Sequence, residues 1–541
     1  MNEVQTGAKK SRLLSITEVA IIILLASVPL FVTFPYRVNI FLSWEGAYRL
    51  SEGQIPYKDF GMPLGYMYWV IPAIFFKIFG AQLITLVKAQ VFINILSGLA
   101  FRSTIKNLGV QPGIRFLAIL VYCVSFSFFN FWPWYNHTVI VYQVIGLACL
   151  FTYLNREPGP LRWLWLSFSA FFTFCSFFTK QDGGALAFLL CLALLAYHAV
   201  VKKDWKSLFI YAGSVAVVAF AVIAPLLRFN FAYWFNLGQA PHTARVSLPE
   251  IIDEFLIASS WIKFYLLLIV ILSVAVYRRS GRPTYNQTLF LLLTLGILAE
   301  AAILQVTSYT PPDNNIFFHS FAFAFILSQL SLLTGLNFTA TRLLLLSTAM
   351  VLLWWSSVFW KYIQRTMYRF APAGAQATAS GENVVNRKTY VIGSQANTTD
   401  NEEWVFSNLN AFRKIAMPRS TADGLGRLMK DPVANQENAK VLNLTELTPL
   451  AVELPYRTET GPDIPLWHHL GVGLFNKHAQ QYEEKIRDKY YDVVLFEHIP
   501  SLNNFFPFRI RDSLRIHYKL IDSFPAPRRG ETQGMIELYH K

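Results

Sequence analysis

Cysteine is scarce in this chain. Four occur among 541 residues (Cys123, Cys149, Cys175 and Cys191), all within apolar runs and none beyond residue 191. This excludes a disulfide framework and the cysteine spacings of a structural zinc site. Charge is scarce too. Only 15% of residues are Asp, Glu, Lys or Arg, and the 33 acidic residues are outnumbered by 47 basic ones. No HxH or HExxH spacing links any histidines, and no short-period repeat is present. The last third has no Walker loop and no glycine fingerprint after a strand, so nucleotide-binding motifs are absent there.

What is abundant is apolar surface. Hydrophobic residues make up 54% of the chain, aromatics 16%, and mean hydropathy is +0.36. Long apolar runs with few charges recur from residue 16 to residue 360, the pattern of a polytopic helical membrane protein. Runs of spanning length fall at about 16–35, 82–103, 114–131, 137–154, 163–179, 183–200, 207–227, 257–277, 286–307, 314–335 and 341–360, eleven in all. The first follows Lys9, Lys10 and Arg12 but lacks a small-x-small cleavage pattern, so it reads as an uncleaved span.

A further run, 64–79, would make a twelfth span, and charge decides against it. With the N-terminus inside and 64–79 left out, the basic clusters Arg102/Lys106/Arg115, Arg156/Arg162, Lys202/Lys203/Lys206, Arg278/Arg279/Arg282 and Arg342 all fall in inside loops. Counting 64–79 as a span moves all of these clusters outside, against the positive-inside rule. The net charge of +14 therefore reports membrane orientation rather than a nucleic-acid partner. Segment 64–79, with Tyr66, Tyr68 and Trp69, is expected to lie along the outer interface inside one long outer loop, 36–81.

Eleven spans also place 362–541 outside. This stretch opens with "APAGAQATASGEN" (371–383) and continues with strand-like runs at 389–393, 440–444, 491–496, 518–524 and 535–540, with helical patterns such as 477–490 between them. The expectation is a mainly α membrane unit (1–361) followed by an extracytoplasmic α/β domain (362–541).

Ionisable residues in or beside spans are costly, which makes them functional candidates. On this topology most gather near the outer face. They are Lys88, the turn Lys180-Gln181-Asp182, Arg228, His242 and Arg245 in the loop 228–256, Glu300, Asp313, His319, and His137 after "WPWYN". Each has a plain structural alternative: Lys88 snorkels, Lys180 and Asp182 pair within a tight turn, Glu300 hydrogen-bonds a neighbouring helix, and lone histidines fill helix starts. In the outer loop, Glu45 lies between Trp44 and Gly46. Held beside aromatics, its carboxylate would have a raised pKa suited to a base, whereas Glu45, Glu52 and Asp59 together also read as the solvated face of a surface helix.

The acidic residue soon after the first span, followed by "EGQIPYKDFGMPLGYMYWVIPAIFFKIFG" (52–80), resembles the first outer loop of the GT-C superfamily of membrane glycosyltransferases. It is most similar to the bacterial branch related to protein O-mannosyltransferases and lipid A aminoarabinose transferases. The matching positions are Glu45, Gly53, Pro56, Tyr57, Asp59, Pro63, Tyr66 and Phe79-Gly80. "FFTKQDGGALAF" (177–188) and "NNIFFHSFAF" (314–323) are similar to later segments of that branch.

The resemblance implies a multi-pass protein of the bacterial cytoplasmic (inner) membrane. It would move a sugar from a polyprenyl-phosphate donor to a glycan, lipid or protein acceptor on the outer face. It further implies Glu45 as base, with Asp59 as the other carboxylate. Lys88, Lys180, Arg228 and Arg245 are candidates for the donor phosphate. Tyr57, Tyr66, His137, Asp182, Glu300 and His319 are candidates for substrate contact. Many members carry Asp or Asp-Glu where this chain has a single Glu, which leaves the choice between Glu45 and a later carboxylate open. No cofactor is indicated, and a divalent cation is compatible with the chemistry. Two other readings are an enzyme like an O-antigen ligase or polymerase, which usually carries its long loop late in the chain, and a transporter or flippase, which would show paired broken helices near midplane.

Overall fold

The computed structural model describes residues 2–32, 34–35, 40–125, 128, 131–235, 248–308, 318–360, 363, 404–466, 468, 472–500, 507–528 and 533–541. His242, Arg245, Asp313 and the strand expected at 389–393 lie outside the described residues.

The membrane part is a helical bundle. Its helices are α1 (Asn2–Phe31), α2 (Ile40–Ser51), α3 (Met67–Phe79), α4 (Leu83–Asn107), α5 (Pro112–Val124), α6 (Tyr135–Asn155), α7 (Pro160–Phe177), α8 (Gln181–Lys202), α9 (Trp205–Ile223), α10 (Leu248–Ala258), α11 (Ser260–Ser280), α12 (Tyr285–Ser308), α13 (Phe318–Thr334) and α14 (Thr341–Trp354). Every apolar run read as a span overlaps one of these helices. Seven of them, α1, α4, α6, α8, α9, α11 and α12, are long and apolar enough to cross a membrane by length and composition. The peripheral helices show why lipid is needed. On α9 only Ser207 and Tyr211 are buried, while Phe209, Val217 and Phe220 are left open, an apolar surface that water would not tolerate.

Two expectations shift. In the run 114–131 the helix described is Pro112–Val124, capped by Ser125. The loop expected at 228–256 contains α10, whose sequence LPEIIDEFLIA carries three acidic residues. Those charges hid it from a search for apolar runs, although Pro249 near the start and Glu250 in the first turn suit a helix N-terminus.

The basic loops gather at one end of the bundle. There Asn107 Nδ2 donates to Thr152 Oγ1 at 3.2 Å and Gln111 Nε2 to Ser331 Oγ at 3.1 Å. Just inside this end, Glu18 is fully buried and paired with Arg102 at 2.7 Å and Arg115 at 2.8 Å, so the buried carboxylate has the partners it needs.

The first loop occupies the opposite end and meets the C-terminal region there. That region contains β2 (Trp404–Phe406), β3 (Ile415–Pro418), α15 (Arg419–Leu428), β4 (Val441–Leu444), α16 (Phe475–Arg487), β5 (Val493–His498), α17 (Phe508–His517), β6 (Lys519–Pro525) and β7 (Met535–His540). A four-stranded sheet runs β4-β5-β7-β6, with β4 and β5 parallel and the other pairs antiparallel. The strands read from 440–444, 491–496, 518–524 and 535–540 are all present. β5 (VVLFEH) is buried over its first five residues, as a central strand covered on both faces should be. A second, three-stranded sheet runs β1-β3-β2, and its β1 (Phe34–Pro35) follows α1 and pairs in parallel with β3.

Helix α3 begins and ends at this same end of the bundle. Just before it, Gly61 N donates to Ile464 O at 2.8 Å and Leu466 N to Gly61 O at 3.0 Å. Just after it, Leu83 N donates to Ala411 O at 2.9 Å. Both flanks are thus tied to the C-terminal region, so α3 lies across the end of the bundle instead of traversing it.

Candidate active site

Helix α2 carries the candidate base. Eight of its twelve residues are buried, which rules out a solvated surface helix. It is clamped onto α3 by close packing. Trp69 Nε1 donates to Leu42 O at 3.0 Å and Trp44 Nε1 to Ala81 O at 3.0 Å. Gly46 sits flat on Trp69, where an added Cβ would come within 2.0 Å of the indole. The residue after Glu45 therefore has to be glycine for α2 to pack so closely.

Glu45 projects from this rigid helix into a cleft between α2 and the C-terminal region. The cleft has a cavity volume of about 90 Å³ and is lined by Trp44, Glu45 and Arg49 on one side and Tyr456, Tyr482 and His468 on the other. Arg49, one helical turn on, contacts the carboxylate at 2.9 Å through both Nε and its terminal nitrogen. Its remaining donors reach Gln54 Oε1 at 3.1 Å and Glu459 O at 2.9 Å. Burial raises the Glu45 pKa above the ordinary 4.5, and Arg49 opposes that without cancelling it. The result is a carboxylate that is fixed in orientation and more basic than a surface glutamate.

Arg49 has no place among the sequence candidates, although its signal was present. In "WEGAYR" the two charges stand four apart, the spacing that puts them on one helix face. The residues opposite come from more than 400 positions further along the chain, and nothing in the sequence links them to Glu45.

The other candidates occupy different places. Asp59 is used by the loop itself: Oδ2 accepts from Ile55 N at 2.7 Å and its carbonyl from Gly461 N at 2.8 Å. Tyr57 is fully buried with a left-handed φ of 67°. Its hydroxyl donates to Leu64 O at 2.8 Å, so it pins a turn. Tyr66 is half-buried and meets Phe178 edge-on at 5.1 Å.

Phe178 leads into the turn that holds Lys180 and Asp182, paired at 2.9 Å. Gln181 Nε2 donates to Pro63 O and Trp234 O, each at 3.3 Å, and locks this turn to the first loop. Gly65 abuts it so closely that an added Cβ would lie 1.7 Å from Phe178 O.

Lys88 places its ammonium 4.6 Å over the ring of Phe79. Arg228 is exposed beside Phe229 at 4.7 Å. His137 is half-buried in the first turn of α6. Glu300 is buried and accepts from Gln143 Nε2 at 2.5 Å. His319 is fully buried, its Nδ1 3.0 Å from Tyr265 Oη and its ring near Trp261 and Trp355.

None of Lys88, Lys180, Arg228 or Asp59 lines the Glu45 cleft. The contacts separate two groups across the α2–α3 layer. Glu45 and Arg49 face the C-terminal region, while Lys180 and Asp182 lie on the bundle side. No group of three or more His, Cys, Asp or Glu residues placed to hold a metal ion occurs among the described residues.

No protein-family model and no curated protein sequence matches the chain. Solved structures do. ArnT from Cupriavidus metallidurans in the apo state matches with a TM-score of 0.50 at 12% identity, over 97% of this chain and 97% of that one. A structure of ArnT from the same organism bound to undecaprenyl phosphate gives 0.44 at 12% identity, over 97% of each chain. The Archaeoglobus fulgidus oligosaccharyltransferase, in complex with Zn and sulfate, gives 0.47 at 10% identity, over 89% of this chain and 68% of that one. At this level of identity the likeness to apo ArnT shows a shared fold and nothing finer.

Proposed function

We propose that this protein transfers a sugar from a polyprenyl-phosphate donor to an acceptor hydroxyl at the end of the bundle that carries the first loop. That end is read as the outer face of a bacterial cytoplasmic membrane, with 362–541 as an extracytoplasmic domain. The observation that carries the proposal is the placement of Glu45: a half-buried carboxylate with a raised pKa, held by Arg49 on α2 at the edge of a cleft.

The chemistry follows from these groups. Glu45 takes the proton of the acceptor hydroxyl. The freed oxygen attacks the anomeric carbon and forms the new glycosidic bond. The bond from that carbon to the phosphate oxygen breaks, and its electron pair leaves with polyprenyl phosphate. One displacement inverts the anomeric configuration, in contrast to the two carboxylates and two steps of a retaining glycosidase. The departing phosphate is already a stable anion, so it needs cationic contact rather than a proton. Neither Lys180 nor Arg228, the cations first considered for that contact, lines the Glu45 cleft, so with Glu45 as base the donor phosphate has to reach the cleft from the Lys180 side of the α2–α3 layer. Arg49 keeps the carboxylate aimed and is a positioning residue.

The Lys180–Asp182 pair supports a second assignment, with Asp182 as base. It sits on the bundle side, where the lipid part of a donor would lie. Glu45→Gln and Asp182→Asn, assayed for release of polyprenyl phosphate in membranes, separate the two. Loss in the first alone supports Glu45, and loss in the second alone moves the base to Asp182.

A further inference from the structure

Two buried polar atoms on residues that line the Glu45 cleft have no hydrogen-bond partner among the described residues. One is His468 Nδ1 and the other Thr448 Oγ1. His468 is 7% exposed and Thr448 9%. Orphaned polar atoms this deeply buried are uncommon, because each costs about 1–3 kcal/mol when left unpaired.

The hydrogen-bonding character of the histidine follows from its surroundings. Its Nε2 lies 3.2 Å from Phe475 O. A carbonyl only accepts, so Nε2 carries the proton. Burial lowers the ring's pKa to about 4, so the ring is neutral at pH 7 and Nδ1 is a bare acceptor. What completes it is a hydroxyl or amide donor. Thr448 Oγ1 both donates and accepts, which suits a hydroxyl.

The remaining surfaces narrow the class. The rings of Tyr456 and Tyr482 supply apolar faces on the same wall, and Trp44 lies opposite. The charged side chains beside them are spoken for, since Arg49 is held by Glu45 and Gln54. Uncharged hydrogen-bonding atoms set among aromatic rings match a ring that is polar at its edge and apolar on its face. A phosphate or a charged peptide would instead call for an unpaired cation or anion.

We infer that the cleft binds the acceptor, that the acceptor is a neutral saccharide, and that the C-terminal region recognises it through His468 and Thr448. The inference rests on the glycosyltransferase reading for the acceptor's role but on the cleft alone for its class. One sugar hydroxyl donates to His468 Nδ1 and another exchanges hydrogen bonds with Thr448, leaving a third directed to Glu45.

The test is a binding measurement, independent of turnover. Full-length protein in detergent is titrated by saturation-transfer difference NMR with neutral gluco-, manno- and galacto-tetraoses, with alkyl glycosides of the same rings, and with a Ser/Thr tetrapeptide. At least one saccharide is expected to bind, free or as its alkyl glycoside. Thr448→Val and His468→Leu should each weaken it about tenfold. His468→Asn, which keeps an acceptor at the Nδ1 position, should recover most of the loss. Binding by the alkyl glycoside alone would identify the source as a lipid-linked sugar and still support the class. Saccharide binding that ignores all three variants, no saccharide binding, or binding of the tetrapeptide alone overturns the inference. Sugar transfer by wild type without variant-sensitive saccharide binding sinks the inference and spares the glycosyltransferase reading; saccharide binding without donor turnover does the reverse.

Discussion

Replacing Glu45 by Gln is the most informative perturbation of this protein. Gln is the same size, and its Oε1 can still accept from Arg49, so the clamp between α2, Gln54 and Glu459 survives. What is lost is the capacity to take a proton. General-base catalysis contributes roughly 10²–10⁴-fold, so kcat for sugar transfer should fall by about that factor, or ~3–5 kcal/mol of barrier. KM for the donor should move little. Stability should fall by up to about 3–5 kcal/mol, because buried Arg49 keeps a hydrogen-bond acceptor but loses its counter-charge, while the pH dependence due to Glu45 disappears. Because the folded pKa of Glu45 is raised, the fold favours the neutral carboxyl: stability is fully present below the unfolded pKa and is lost as pH rises through the folded pKa. A permanently neutral Gln avoids that pH-dependent loss. The assay is initial-rate transfer in proteoliposomes from pH 5 to 9, with thermal unfolding in parallel. Wild-type rate should drop as pH falls through the Glu45 pKa, which burial raises, and the Gln variant should lack that limb. A Glu45→Gln rate within threefold of wild type, in a folded protein, would refute the assignment.

Other outcomes follow from the same contacts. Arg49→Met should cost up to about 3–5 kcal/mol, because a half-buried carboxylate loses its partner; urea unfolding of the purified protein measures it. Gly65→Ala forces a Cβ to 1.7 Å from Phe178 O. It should destabilise the contact between the first loop and the Lys180 turn by at least 1–3 kcal/mol, seen as faster proteolysis near residue 65. His468 and His478 are both buried with pKa values lowered to about 4. Their neutral forms are favoured in the fold, so stability is full above the unfolded value near 6.5 and falls as pH drops toward 4. The loss is on the order of 3 kcal/mol for each. Hydrogen exchange of the C-terminal region at pH 7 and pH 4.5 reads this directly, and His478→Phe, keeping the stack on Tyr233, should flatten it. Single cysteines at residues 66 and 81 should label from the same side of the membrane; labelling from opposite sides would show that α3 crosses.

Much of the architecture was legible because it rests on local pattern. Apolar runs located the bundle helices, and basic loops indicated that 64–79 does not cross. In the C-terminal region, runs such as "YDVVLF" located strands that the sheet then paired. Helix α10 escaped because its acidic residues broke the apolar run. The site was legible in part. Glu45 stands out in the sequence as a carboxylate among aromatics, and the two-residue spacing of Lys180 and Asp182 is compatible with the pair they form. Arg49 could have been found from its spacing to Glu45. His468, Thr448, Tyr456 and Tyr482 could not, because the chain returns to α2 only after crossing the whole bundle. Tyr57 looked like a ligand contact from the motif, whereas its left-handed backbone and bonded hydroxyl show a turn residue.

The most direct test of the central claim follows the fate of a donor. Purified wild-type protein in proteoliposomes is given a panel of polyprenyl-phosphate sugars labelled at the anomeric carbon, together with saccharide acceptors, and products are resolved by NMR. The account predicts that one donor is consumed, that free polyprenyl phosphate appears in equal amount, and that the new glycosidic bond has the inverted configuration. A donor panel left intact, or a product that retains the donor's configuration, would contradict it.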